Sequence, residues 1–282
     1  MSLHPVIEGD VFYWNRGVWD NNLCRAIKKA HAVILPQTVE KELYFLCSGL
    51  CRNVFPNYDL RFRWQGKIGD ALAFWYHGVK HPYTMVFPRV ETLRAGHSDM
   101  EHQVPELPPY PFVLKGAHGG EGNQVWLIES GEELEAKLQT LLKLELYGKS
   151  GFVIQEYIPS LDRDLRVTVI GTQFFSYWRK AQGFLHNIAQ GAEIDTESDK
   201  DLQAVGREKV GEFCRGAGVN LAAFDLAFPP GEKEPLFLEI NYTFGRIGLG
   251  GSEKFYDLLQ KAVDQWLLQS PVGRENFPAN DN

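Results

Sequence analysis

Residues 236–251, LFLEINYTFGRIGLGG, decide how the chain is read. Leu236, Phe237, Leu238 and Ile240 form a short apolar run that predicts a buried strand, with one carboxylate, Glu239, set inside it. Asn241 follows two places on, and side chains two apart on a strand share a face. A carboxylate and an amide oxygen are thus offered together at a strand end, and both are hard ligands of the kind Mg²⁺ prefers. The glycines at 245, 248, 250 and 251 then let the backbone approach a ligand closely. Upstream, Ala222–Phe228 (AAFDLAF) predicts another apolar strand with one acid, Asp225, which completes a candidate metal set of Asp225, Glu239 and Asn241.

Working outward, the chain has 282 residues, enough for a sizeable core and two lobes. Apolar residues make up 44% and charged residues 23%, as in an ordinary globular protein. A net charge of −7 argues against a broad basic surface for nucleic acid. No signal peptide and no run of membrane-spanning length is read, so the expected location is the cytoplasm. Cys47 and Cys51 lie four apart without a second ligand pair, so they and Cys24 and Cys214 read as ordinary thiols.

Residues 1 to about 66 read as irregular and aromatic-rich, with a short strand at 32–35 and a helix capped by Thr38 that buries Leu43, Phe45, Leu46 and Leu50. A helix holding Ile68, Leu72 and Trp75 is expected from Lys67 to Gly78. Pro111–Lys115 and the run QVWLI flank GAHGGEG, a hairpin with a glycine-rich turn. Ser130 and Glu133 make a capping box. Residues 152–158 form a strand, 165–177 a hairpin about Gly171, 201–216 a helix, and Ser252 caps the last helix.

Lys115 precedes Gly116, Gly119, Gly120 and Gly122, a turn able to lie over phosphates while the lysine adds a charge to the same oxygens. Lys67 opens a helix, where a cation works against the macrodipole and suggests an anionic ligand. The backbone of Gln155, Glu156, Tyr157 and Ile158 is suited to reading an adenine edge. Asp164 and Arg166 share a strand face. Arg179 and Asn187 suit a bound carboxylate or a phosphoryl group. Arg246, just after the metal strand, is expected to bind a substrate carboxylate.

In order and spacing, Lys67 with HPYT, FVLKGAHGGEGNQV, FVIQEYI, RDLRVTVIG, Arg179–Gly191, FDLAF and LEIN resemble the ATP-grasp superfamily, in its glutathione synthetase and RimK-like ligase branch. The resemblance covers roughly residues 65–260. It implies an α+β fold with two small lobes clasping ATP: an N-terminal domain over 1–84, an ATP-grasp domain over 85–270 with lobes about 85–150 and 151–270, and a tail over 271–282. It further implies that Lys67, Lys115, Gly116, His118, Gly119 and Gly120 contact phosphates, that 155–158 hold adenine with Asp164 near the ribose, and that Asp225, Glu239 and Asn241 hold Mg²⁺ as two ions, with Mn²⁺ as a substitute. Arg166, Arg179 and Asn187 would face the phosphates and the acceptor. The implied reaction joins a carboxylate to an amine, or a thiol, through an acylphosphate, with ADP and phosphate as products. The rivals are a kinase on the same fold and a nucleotide-binding protein without catalysis. Expected partners are small-molecule or peptide carboxylates and amines, no nucleic acid and no membrane, with self-association left open. Tyr242, Thr243 and Phe244 stand where relatives carry small residues and proline, which leaves the substrate unassigned.

Overall fold

The computed structural model describes residues 1–12, 19–96, 106–118, 124–158, 163–180 and 193–269. Gly119, Gly120 and Asn187 lie outside the described residues, as does most of the glycine-rich turn.

Two antiparallel sheets carry the architecture. The smaller has the order β3 (Thr84–Phe87), β6 (Phe152–Glu156), β4 (Phe112–Gly116), β5 (Val125–Ile128). Along β4 and β6 the alternation is strict. Phe112, Leu114, Phe152 and Ile154 pack with residues of α5 (Val90–Gly96) and α6 (Gly131–Glu145), so Lys115 and Gln155 fall on the opposite face. Because β6 belongs to this sheet, the small lobe runs past residue 150 to Glu156. The Ser130 hydroxyl accepts from the Glu133 N–H at 3.2 Å, while the Glu133 carboxylate accepts from the N–H of Glu129 rather than of Ser130.

The larger sheet has the order β11 (Leu236–Asn241), β10 (Leu221–Ala227), β7 (Arg163–Ile170), β8 (Gln173–Lys180), β9 (Glu193–Asp195). Leu165, Val167, Val169, Trp178, Phe224 and Leu226 bury against α7 (Lys200–Ala217). The other face is divided along its length. At one end Ile170, Leu221 and Ala223 are covered by α8 (Gly251–Gln269) and the N-terminal segment. At the other end stand Asp164, Arg166, Arg179 and Asp225. A register shift between β10 and β11 decides where Glu239 points. Asp225 pairs with Glu239, yet Leu226 pairs with Phe237, so Leu238 is the extra residue of a bulge. Phe237 can therefore bury with α7 while Glu239, two places on, joins Asp225 on the polar face.

The N-terminal region is more regular than its composition suggests. It holds α1 (Asn21–Lys29), capped by Asp20, then β1 (Val33–Ile34), α2 (Lys41–Leu50), β2 (Val54–Phe55), α3 (Asp59–Arg63) and α4 (Gly66–His77). Leu23, Ile27, Val33, Leu43 and Tyr58 share one core with Phe255 and Leu259 of α8, so this region and the chain's last helix are packed as a unit. Thr38 does not cap α2; Glu40 occupies that position without a side-chain bond, and Phe45 is exposed while Tyr44 and Cys47 are buried. All four cysteines are free thiols. α4 also turns a different face inward than its apolar spacing predicts. Lys67, Ala71 and Phe74 are buried while Trp75 is exposed, because this helix fits between β6 and β11 with a charged residue on its inner side. The last helix starts at Gly251, placing Ser252 within its first turn rather than before it. No helix among the described residues is long and apolar enough to cross a membrane.

Candidate functional site

The polar face of the large sheet, the polar face of the small sheet and the start of α4 meet in one cluster. Asp225 is its centre. Arg166 donates to it twice, Nε to Oδ1 at 2.8 Å and Nη2 to Oδ2 at 2.9 Å. Arg179 reaches the same Oδ2 at 3.0 Å, and Asn241 Nδ2 donates to it at 3.0 Å. Burial raises the Asp225 pKa, but the two guanidiniums more than reverse this and hold the carboxyl well below the usual carboxylate range. Arg179 Nε also donates to Asp164 at 2.7 Å, and Asp164 is buried. Asp164 thus acts as a counter-charge that orients Arg179, and the ribose role expected for it finds no support in this geometry.

Lys67 is ion-paired with Glu239. Burial works against its ammonium, but Glu239 and then Asp70 outweigh burial and raise its pKa. Gly66 makes this placement possible. It sits at φ +67°, and a Cβ there would lie 2.0 Å from the Ala117 carbonyl oxygen. The Lys67 N–H donates to that same carbonyl at 3.2 Å, so the start of α4 is seated on the chain just before the glycine-rich turn.

Lys115 Nζ donates to Gln155 Oε1 at 2.7 Å, and Gln155 Nε2 donates to Thr84 Oγ1 at 2.9 Å. Burial, and then the like charge of Lys67, bring the Lys115 pKa down to about 8. The geometry gives Gln155 a positioning role. It lies in the centre of the sheet, between Thr84 and Val113, so its backbone belongs to the strand ladders and its side chain orients Lys115. The Glu156 N–H is likewise given to the Tyr83 carbonyl at 2.8 Å. Tyr157 and Ile158 follow the end of the strand. Gly116 lies in β4 against the Gln124 side chain, and His118 is exposed at the start of the turn.

Asp70 belongs to the cluster although nothing in its sequence setting singled it out. Burial pushes its carboxyl up to about 7 against the pull of Lys67, and its surroundings include Glu239 and the Ile240 N–H. Its place one helical turn after Lys67 was the available signal. Lys67, Lys115, Arg166 and Arg179 therefore face Asp164, Asp225 and Glu239, with Asp70 titrating near neutrality. Charge within the cluster is close to balanced.

The oxygen donors fit a hard divalent ion. Asp225 Oδ1 receives a single donor, Arg166 Nε, and Glu239 meets Lys67 through one oxygen, Oε1. Asn241 turns its Nδ2 to Asp225, which leaves its Oδ1 for a cation. Among the described residues no group of three His, Cys, Asp or Glu side chains forms a metal cluster, so a metal here would rely on two carboxylates and an amide.

Arg246 stands apart from this network. Its Nη1 donates to the Tyr256 hydroxyl at 2.9 Å, and its guanidinium lies 4.6 Å from the centroids of both the Phe255 and Tyr256 rings. With His4, Gln37, Thr38, Thr243 and Ser252 it lines a cavity of about 390 Å³ beyond the end of β11.

A model of the RimK-like ATP-grasp domain matches residues 80–256. Solved structures of similar fold include the RimK domain protein ATP-grasp from Sphaerobacter thermophilus DSM 20745, with TM-score 0.58 and 19% identity over 83% of this chain and 80% of that one. D-cycloserine synthetase DcsG gives TM-score 0.59 and 20% identity over 90% and 88% of the two chains. D-alanine–D-alanine ligase from Bacillus anthracis complexed with ATP gives 0.58 and 13% over 90% and 84%. At these identities the likeness is one of fold.

Proposed function

Because the chain belongs to the RimK-like ATP-grasp family, we propose that it is an ATP- and Mg²⁺-dependent ligase joining a carboxylate to an amine, or a thiol, through an acylphosphate. The observation that carries this reading is the cluster of four cations interleaved with carboxylates where the two sheets and α4 meet. Phosphoryl transfer needs positioning and charge neutralisation more than a protein nucleophile. Lys67 and Lys115 supply cations from α4 and β4, and Arg166 and Arg179 supply a fixed guanidinium pair. Asp225, Glu239 and Asn241 would hold Mg²⁺, which when bound neutralises charge on the phosphoryl oxygens. A near-neutral cluster has little spare positive charge for a bare polyphosphate, so the nucleotide should bind with its metal. The cavity beside Arg246 is the acceptor side in this reading, with the guanidinium facing a substrate carboxylate.

Phosphate release measured with ATP, Mg²⁺ and a panel of carboxylic acids and amines tests this. Release is expected only with both acceptors present and should vanish with EDTA. Accumulation of a stable phosphorylated acceptor as the final product, with no free phosphate and no second acceptor consumed, would make the protein a kinase. Tight nucleotide binding without turnover on any pair would make it a binding protein.

A further inference from the structure

Ile247 borders a second cavity as well as the one beside Arg246, and this second cavity has a volume of about 630 Å³. It lies between β8, α7, the 3-10 turn Ile247–Leu249 and the first turn of α8. Phe174 and Phe175 give it an apolar wall, and Lys200, Arg207 and Lys254 give it three cations. Arg207 is held in place without a carboxylate. Its Nη1 donates to Ser176 Oγ at 2.6 Å, and that hydroxyl donates to Gln203 Oε1 at 2.9 Å. Gln203, 1% exposed, donates from Nε2 to the carbonyls of Thr196 and Ser198 at 3.1 and 2.9 Å. The relay spends one of the five guanidinium N–H donors.

Nearby acids are already engaged. Glu197 pairs with Lys200 at 3.3 Å, Asp195 with Lys180 at 2.6 Å and Asp199 with Arg163 at 2.5 Å. Among the described residues no carboxylate forms an ion pair with Arg207 or with Lys254. On a chain of net charge −7 this cavity is locally positive.

We propose that this cavity is a second ligand site, for a small molecule carrying a multiply charged oxyanion group, carboxylate or phosphoryl, beside a short apolar body. The fixed guanidinium suits the oxyanion, Lys254 adds charge, and the phenyl rings take the apolar part. The wall between this site and the reaction cluster is one strand thick. Ser176 lines the cavity, and Tyr177, next on β8, lies beside Arg166 and Arg179. The turn that closes the cavity rests on that ring, since a Cβ on Gly248 would come 2.1 Å from Tyr177 Cζ. An occupant therefore touches the turn that seats Tyr177.

Titration calorimetry on the full chain with inorganic phosphate, and separately with tricarballylate, tests the site with and without a saturating non-hydrolysable ATP analogue and Mg²⁺. Saturable binding of at least one anion is expected in both conditions, and the stronger of the two tells phosphoryl from carboxylate recognition. Arg207→Gln combined with Lys254→Gln should weaken it about tenfold or more and leave the affinity for the analogue unchanged. Should the double variant lose the native Tm, Lys254→Gln alone, on an exposed side chain, should still weaken binding by about threefold. The proposal is overturned if neither anion binds, if the analogue abolishes binding, or if the variants bind as the wild type does.

Discussion

At the scale of single residues, Glu239 and Arg246 carry the sharpest expectations. Glu239 is the ionic partner of Lys67, which is only 9% exposed. In the proposed reading Glu239→Ala removes a metal ligand, and it also strands a buried ammonium. Phosphate release should be lost, and the apo protein should be destabilised by on the order of 1–3 kcal/mol in chemical denaturation. Glu239→Gln, which keeps a hydrogen-bond acceptor for Lys67, should recover most of that stability and none of the turnover. Wild-type phosphate release by either variant would remove Glu239 from the metal site. Arg246 is stacked on two rings and bonded to Tyr256, so it is placed rather than freely solvated. Arg246→Ala should cost on the order of 2–4 kcal/mol in acceptor kcat/KM with ATP affinity little changed. A drop in ATP affinity with acceptor KM intact would assign Arg246 to the nucleotide and move the acceptor elsewhere.

At the scale of elements, the start of α4 is the joint that brings Lys67 of the N-terminal region to Glu239 on β11 of the large sheet. Gly66 is at positive φ with the Ala117 carbonyl where a Cβ would be. Gly66→Ala should therefore shift the first turn of α4 and separate Lys67 from Glu239. The backbone strain alone should cost about 1–3 kcal/mol. The expected readout is a lower Tm together with weakened ATP-analogue binding by calorimetry. A variant that lost stability yet bound the analogue as tightly as wild type would show that α4 does not position the nucleotide site. The β10–β11 bulge is the second such device, since it lets Phe237 and Glu239 take opposite faces.

At the scale of the whole molecule, the N-terminal segment and α8 share a core, and His4 lies at their junction. His4 is 4% exposed, and its Nδ1 accepts from the N–H groups of Val6 and Ile7 at 3.1 and 2.9 Å. Burial, and then the charge of Arg246, bring its pKa down to about 4. The unfolded chain binds a proton on this residue near pH 6.5 and the folded chain near 4, so stability is lost as pH falls between those values. The full loss is on the order of 2–4 kcal/mol. Asp70, raised to about 7, gives the opposite slope over much of the same range, so the His4 contribution is read in chemical denaturation as the difference in slope between the wild type and His4→Asn, whose amide oxygen can accept in place of Nδ1. Equal slopes in the two proteins would mean that His4 does not carry the acid sensitivity.

The strands of both sheets other than β9 were legible in the sequence because short apolar runs and glycine-rich turns are local signals. Glu239, Asn241 and Asp225 were legible for the same reason, as single polar residues inside apolar runs. Residue pairing was not, since it depends on which strands become neighbours. Arg179 meets Asp164 across β8 and β7, and Arg166 meets Asp225 across β7 and β10. The family resemblance implied a ribose contact for Asp164 and an adenine contact for residues 155–158. Within the sheets Asp164 meets Arg179, and Gln155 meets Lys115, contacts that no local pattern announces. The inner face of α4 was misread because a buried lysine and acid look like a solvated stripe until their partners on other elements are known. By itself, then, the sequence determined the short apolar strands, the glycine turns and the order of motifs that mark the family. Only the tertiary structure decided which charges neutralise one another, because burial and partner distance set the energy of a charge and both are properties of chain segments far apart in sequence.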